Sequence, residues 1–586
     1  MTLKRLKFLL LCLILTTVKA SFGQAEKGFR ASVVKIDITP DEPKMLLGYA
    51  ARKSSGIHDR IYHRIVAMDD GLKQFFLVST DICVMSPSEY DHVAALLQRD
   101  LGIDPENFWW TLTHTHSAPE VGVPGLPEVF MGDRYKHEVD TAYTSLVERS
   151  LIQGITEARS KLVKAKMGVG WGFSQGNMNR RAIDENGKAS LGMNPDGPTD
   201  RRIGLIRLDK EDGSPLALIA NYAIHGTVMS GANTQISGDA PGIVSEYVEE
   251  KLGVPLLFIN GAAGNLAPIY SVYPNPSAGH LNQFKVLLGD KILSANKEIV
   301  SNRSDVKLFT GSLIIETPRK PGLSWPKDLY GYTQTSASGE HTVLLPARFL
   351  KINEDVAIWS LPVELFCEIS NEIRDRSPFP YTFFYGYTNG WLGYLPTAKA
   401  WQHGGYEVET VSPYTPAVEK HVKEAVLGYL EAEMKSTATS REEGITKVST
   451  VAQQSDGILW LNAYNGKGIG PKIKYMPEWW AFGWFTNLDR VEWDVDVKLA
   501  GEYKAEMVWS VSDKEAGNEF LLEAGKQNLT GIIEPSGSWE TFKSKNIGTI
   551  SLKAGKQKIV FRANKPHINA GMLDLREIKL SPLKKH

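Results

Sequence analysis

Between residues 31 and 434 the chain alternates short apolar runs with longer stretches whose apolar residues recur every three or four positions. The short runs, 32–38, 74–80, 107–113, 216–224, 255–259, 356–361 and 381–387, have the length and bounding turns of strands. The periodic stretches, 88–101, 141–162, 241–252, 281–300, 363–376 and 417–434, predict helices that each bury one face. Alternation of this kind predicts an α/β domain, a helix-covered mixed sheet spanning residues 25–435. Residues 436–450 are polar and Ser/Thr-rich with no apolar period, which predicts a linker. From 451 to 586 only short alternating runs separated by Gly- and Pro-bearing turns remain, at 494–497, 503–509, 519–522, 550–552 and 557–561. They predict an all-β sandwich.

The first residues have a different pattern. Lys4, Arg5 and Lys7 precede the apolar core 8–15, and the small residues Ala20, Ser21 and Gly23 follow. This is the layout of an export signal over residues 1–24, with a core too short to span a bilayer. It predicts a protein of the periplasm or the exterior, with no transmembrane segment. Of the 3 Cys, Cys83 and Cys367 would survive cleavage; two buried thiols or one disulfide both fit that compartment. A chain of 586 residues is too long for a single core, and a formal net charge of −1 excludes a strong nucleic-acid footprint. The expected substrate is a small molecule, lipid or glycan.

Chemistry gathers at the carboxyl ends of the predicted strands, where open α/β sheets place their sites. Run 74–80 ends at Asp81, and 107–113 ends in Thr113-His114-Thr115-His116-Ser117. Run 216–224 ends at His225, 356–361 leads to Glu364, and 381–387 leads to Tyr394. On an extended strand His114 and His116 would leave the same face. Imidazole is the commonest metal ligand and a proton shuttle near neutral pH. Two histidines, a carboxylate and a phenol suit a hydrolytic zinc site. Asp81 and Asp239 can each orient a ligand imidazole or cap the following helix, with capping favoured for Asp239.

Over roughly 31–433 the sequence resembles the neutral (non-lysosomal) ceramidase catalytic domain. The resemblance rests on Asp37-Ile38-Thr39-Pro40, Gly48-Tyr49-Ala50, Gly56-Ile57-His58, Thr113 to Ser117, Asn179-Arg180 and Ser237-Gly238-Asp239, in the family's order. It implies a zinc ion (Zn2+) held by His114, His225, Glu364 and Tyr394. His116 would exchange protons beside the metal, and Arg180 and Tyr406 would stabilise the oxyanion of an amide hydrolysis. The chain departs from the family's pattern at Ala267, where a serine is expected, and at Ala118-Pro119-Glu120-Val121, Trp391 and Gly226. Ala267 closes a covalent serine route at that position, and Glu120 would add a carboxylate beside the metal. The C-terminal segment is similar to carbohydrate-binding-module-like sandwiches appended to secreted enzymes; Trp479, Trp480, Trp484 and Trp539 would either stack on sugars or fill the core and the domain seam. The resemblance implies cleavage of an N-acyl bond in a ceramide-like lipid. The alternatives are hydrolysis of a glycan or a glycan substituent, or a non-catalytic binding protein.

Overall fold

The computed structural model describes residues 28–583, apart from 136, 270, 272–279, 300–302, 444–449, 455–456, 464, 477–478 and 566–570. The export-signal reading of residues 1–24 lies outside the described residues. In chain order the first unit contains β1 (Arg30–Asp37), β2 (Tyr62–Asp69), β3 (Gln74–Thr80), α1 (Pro87–Leu101), β4 (Phe108–Leu112) and α2 (Thr141–Ser160). Next come β5 (Val163–Phe173), β6 (Arg202–Lys210), β7 (Pro215–Tyr222), α3 (Asp239–Leu252) and β8 (Leu256–Asn260). The unit closes with α4 (Asp290–Lys297), β9 (Leu308–Pro318), β10 (His341–Ile352), β11 (Val356–Ser360), α5 (Cys367–Arg376), β12 (Tyr381–Tyr385) and α6 (Val418–Glu443).

The first eight strands form one sheet in the order β8-β7-β6-β5-β1-β2-β3-β4. It is mixed: the edge pairs β7/β8 and β3/β4 are parallel and the pairs between them antiparallel. A second sheet, β9-β10-β11-β12, ends in the parallel pair β11/β12. The two sheets share a core in which Val66, Leu77, Trp109, Ile219 and Ile259 meet Leu350, Ile358, Tyr381 and Phe383. Helices α1 and α2 cover one half of the outer face of the first sheet, and α3 and α4 the other half. Helices α5 and α6 cover the outside of the second sheet. The helix-covered mixed sheet is therefore doubled, in a helix–sheet–sheet–helix stack.

The antiparallel strands are less visible in the sequence. β5 carries Gly168, Gly170 and Gly172, which read as turn residues, yet each is spaced along one strand. A Cβ at Gly170 would stand 2.3 Å from the Trp480 ring, so glycine there admits the second domain rather than breaking the strand. The predicted helix 363–376 begins only at Cys367, because Glu364–Leu365 pairs in parallel with Tyr394–Leu395. The predicted helix 281–300 is a 3₁₀ turn and a π turn followed by α4. Helix α6 continues to Glu443, eight residues into the stretch 436–450 expected to be linker; 444–449 lie outside the described residues.

Residues from Val451 onward form two six-stranded sheets around a common core containing Trp493, Trp509, Tyr503 and Phe561. This is the expected sandwich. Trp480 packs against the first unit, and the Tyr475 and Tyr381 hydroxyls meet at 2.7 Å across the same seam. Trp539 donates to Glu515 at 2.7 Å and packs on the sandwich core. Trp479 and Trp484 are exposed. Cys83 and Cys367 are both free and buried, so the disulfide alternative falls away. Among the described residues no helix is long and apolar enough to cross a membrane.

One buried ion pair locks strand ends to the helical layer. Arg64 donates to Asp81 at 2.8 Å and to Glu249 on α3 at 2.7 Å, and both Arg64 and Asp81 are 1% exposed. Removing the guanidinium leaves Asp81 buried without its cation. We expect Arg64→Met to lower the unfolding free energy by about 3–5 kcal/mol in equilibrium denaturation; a change below about 1 kcal/mol would show that the pair contributes little to stability.

Candidate metal centre

Strand β4 stops at Leu112, two residues before the first histidine of the motif. His114 takes a left-handed backbone conformation, φ 64°, which costs a non-glycine residue of the order of 1–3 kcal/mol. The two imidazoles therefore converge through a strained turn, and strand alternation alone does not account for it. Their Nε2 atoms are 3.1 Å apart, with ring planes at 90°.

That turn is fastened to the end of β7. His116 N–H donates to Gly226 O at 2.8 Å, and Gly226 N–H to His114 O at 3.3 Å. A Cβ at Gly226 would sit 2.6 Å from His114 O and Thr115 Cα, so glycine is what lets the two histidine segments touch. Asn260, at the end of β8, clamps both: its Nδ2 donates to Thr113 O at 3.1 Å and Ile224 O at 2.7 Å, and its Oδ1 accepts from Ile224 N–H at 3.1 Å. Asn260 escapes sequence reading because a strand-end asparagine is ordinarily a turn residue.

Each candidate ligand ring is oriented from behind. His114 Nδ1 lies 3.0 Å from Cys83 O, and His225 Nδ1 lies 2.8 Å from Leu266 O. Donation to those carbonyls turns the Nε2 atoms inward. They face Glu364, whose Oε2 is 3.3 Å from His114 Nε2 and 3.0 Å from His225 Nε2. Tyr394 OH stands 3.1 Å from His225 Nε2. Register explains this last contact, since Glu364 and Tyr394 are directly paired across their two-residue parallel ladder. Ligands held at 2.0–2.2 Å in a tetrahedron stand about 3.3–3.6 Å apart, close to the separations seen. His114, His225 and Glu364 are accordingly spaced to hold one metal ion.

The electrostatics point the same way. Burial pushes the Glu364 carboxyl up, but His114 and His225 outweigh it and hold the group well below the usual carboxylate range. Burial pushes His114 down, yet the Glu364 charge raises it to about 10. His225 falls to about 3 through burial and the nearby Arg180 guanidinium. His116 is lowered well below its ordinary value by burial and by its two histidine neighbours. A buried anion is thus ringed by groups of which one carries a proton, an arrangement that a divalent cation can replace with release of that proton.

Arg180 and Tyr406 reach the same place. Arg180 Nη2 donates to Tyr394 OH at 2.9 Å and its Nε to Glu407 at 2.9 Å, while the Tyr406 and Tyr394 rings are 6.0 Å apart, edge to face. Glu407 also accepts from Arg181 at 2.6 Å, so Arg180 and Arg181 are both buried, contrary to the solvated loop pair that adjacent arginines suggest. Two further groups were not foreseen as site residues in these roles. Tyr387 stacks on His114 with ring centroids 4.2 Å apart and donates to Glu364 at 3.3 Å, and Trp391 Nε1 donates to the other Glu364 oxygen at 2.9 Å.

Three expectations change. Asp81 accepts from Tyr62 N–H and pairs with Arg64, so it orients neither imidazole. Asp239 binds the Val228, Met229 and Ala240 N–H groups, fixing the loop after His225, while Gly238 occupies the N-cap. Glu120 spends its carboxylate on Tyr135 and His137. Ala267 is buried on a short strand paired with Asn177–Ile183, next to the residue whose carbonyl holds His225.

Residues 29–256 match the family profile described as neutral/alkaline non-lysosomal ceramidase, N-terminal. Neutral ceramidase B of Dictyostelium discoideum is 29% identical over 250 residues, 40% of this chain and 33% of that protein. Neutral ceramidase of Pseudomonas aeruginosa is 25% identical over 282 residues, 45% of this chain and 41% of that protein. The matched segment therefore spans about a third to two fifths of these curated relatives. The crystal structure of neutral ceramidase from Pseudomonas aeruginosa superposes with a TM-score of 0.56 at 15% identity, over 96% of this chain and 100% of that one. A structure described as ceramidase complexed with C2 gives 0.55 at 16%, over 91% and 93%. Both show a shared fold. Over residues 29–256 the chain is thus similar to the neutral/alkaline non-lysosomal ceramidase family.

Proposed function

We propose that this protein is an exported zinc-dependent amidohydrolase that cleaves the N-acyl bond of a ceramide-like lipid. The observation that carries the reading is the convergence of His114 and His225 on one buried Glu364 oxygen. His114, His225, Glu364 and Tyr394 would hold the zinc, which would supply a Lewis acid for the amide carbonyl and acidify the attacking water. The matched family supports the bond type, and the charged leader around Lys4, Arg5 and Lys7 supports export.

The protein's own groups then divide the remaining work. His116 is neutral and buried, with its Nε2 turned to the centre. It can take the proton of the nucleophile and return it to the departing amine, the usual service of a histidine base. Arg180 is held by Glu407, and its pKa is raised above the ordinary guanidinium value despite burial, so it stays charged beside Tyr394. Tyr406, pushed up to about 12 mainly by burial, keeps its hydroxyl proton and can donate it to a developing oxyanion. With alanine at 267, attack by water is the route open to this chain at that position.

Metal content and turnover test different parts of this account. His114→Ala and Glu364→Ala should each lose bound zinc by elemental analysis, together with release of fatty acid from ceramide; full zinc occupancy in both variants would refute the ligand set. Tyr406→Phe should keep its zinc and lose about 10²–10³ in kcat. An unchanged rate would remove Tyr406 from oxyanion stabilisation.

A further inference from the structure

A half-buried cation with no carboxylate partner among the described residues stands beside the double-histidine turn. The short antiparallel pair Met45–Leu46 and Arg52–Lys53 folds the intervening residues over the segment that follows His116. Leu47 N–H donates to Ala118 O at 3.0 Å, and Glu120 N–H to Met45 O at 3.1 Å. The fit is close enough that a Cβ on Gly48, φ +108°, would lie 2.5 Å from His116 Cγ. The next residue, Tyr49, meets the His116 ring edge to face with centroids 4.9 Å apart, and the Arg52 guanidinium lies 4.9 Å from the Tyr49 ring centre. Arg52 is thus one aromatic ring away from the imidazole that faces the metal ligands.

Arg52 uses only one edge of its fork. Nε donates to Asn233 O at 2.8 Å and Nη2 to His116 O, while Nη1 is buried and has no hydrogen-bond partner among the described residues. A guanidinium carries five N–H donors, so the end of the fork, Nη1 with the second Nη2 hydrogen, is left over. The buried arginines near the site each have a carboxylate partner: Arg64 pairs with Asp81 and Glu249, and Arg180 and Arg181 share Glu407. Burial lowers the Arg52 pKa, and only Tyr49 and Cys83 act against it; no carboxylate does. One nitrogen of this half-buried guanidinium is thus closed off from solvent without a partner, which is costly, and the free fork edge has the planar two-donor geometry that receives an oxyanion.

We propose that Arg52 is a specificity-determining residue that receives an oxyanion, carboxylate or sulfonate in type, carried by the substrate close to its scissile N-acyl bond. This rests on the hydrolase reading for the bond cleaved, and it shifts the substrate class from neutral ceramides toward acidic N-acyl amines. Arg52 would grip the anion while the histidine side of Tyr49 faces the amide.

The test compares N-lauroylglycine, N-lauroyltaurine and neutral N-lauroylethanolamine on the zinc-loaded full chain. Dissociation constants come from calorimetric titration, and kcat/KM comes from initial rates wherever turnover occurs. The wild-type protein should favour at least one anionic amide over the neutral one by about tenfold or more, the scale of a charge-assisted hydrogen bond. Which of the two is favoured separates carboxylate from sulfonate. Arg52→Gln should collapse that ratio to near one, and Arg52→Lys should keep part of it. A wild-type protein that binds neither anion more tightly than the neutral amide overturns the proposal without any variant. So does an Arg52→Gln protein that weakens all three ligands and preserves their ratio, because that is the signature of a staple on the His116 carbonyl. Preference in binding with no turnover of any ligand would count against the hydrolase reading and leave the anion site standing.

Discussion

Glu364 sets the terms for the rest of this structure. Glu364 is 2% exposed, and a lone carboxylate so placed would be costly enough to protonate. It stays charged because His114 and His225 present nitrogens to one oxygen, to which Tyr387 also donates, while Trp391 donates to the other oxygen. The two imidazoles are held in turn by the Cys83 and Leu266 carbonyls, so fixed dipoles surround one negative charge. In the zinc-dependent function proposed above, a small divalent cation would replace the single proton otherwise kept on His114.

The scaffold around that charge works by joining strand ends that the sequence keeps far apart. Asn260 ties the end of β4 to the end of β7, and Gly226 allows their backbones to touch. The parallel register of Glu364 with Tyr394 brings in the carboxylate and the phenol from the second sheet. Stacking two sheets face to face, instead of wrapping one sheet in helices, is what allows ligands from both to share a centre. The strain at His114 is tolerated because hydrogen bonds on both sides determine the turn.

Much of this was legible in the chain. The strands with continuous apolar runs, β3, β4, β8 and β11, stand within a residue or two of their expected bounds, because burial on both faces removes polar positions. Strands such as β5 and β6 were hidden because glycines and charged residues break the apolar pattern where neighbouring chains pack closely. The ligand candidates were visible as polar groups at strand ends, and the structure brings His114, His116, His225, Glu364, Tyr394, Arg180 and Tyr406 together. Asn260, Glu407 and Tyr387 were not legible in their roles, since each has an ordinary local explanation and acts only through partners distant in sequence. Asp81 was misread for the same reason: its partner Arg64 lies on the adjacent strand and gives no local signal.

The central claim is that one metal ion occupies the space among these four side chains. Anomalous diffraction on either side of the zinc absorption edge, from crystals of the protein as purified, tests it most directly. The account predicts a single edge-dependent peak about 2.0–2.2 Å from His114 Nε2, His225 Nε2, a Glu364 oxygen and Tyr394 OH. A zinc-saturated crystal with these side chains in place and no peak between them would contradict it.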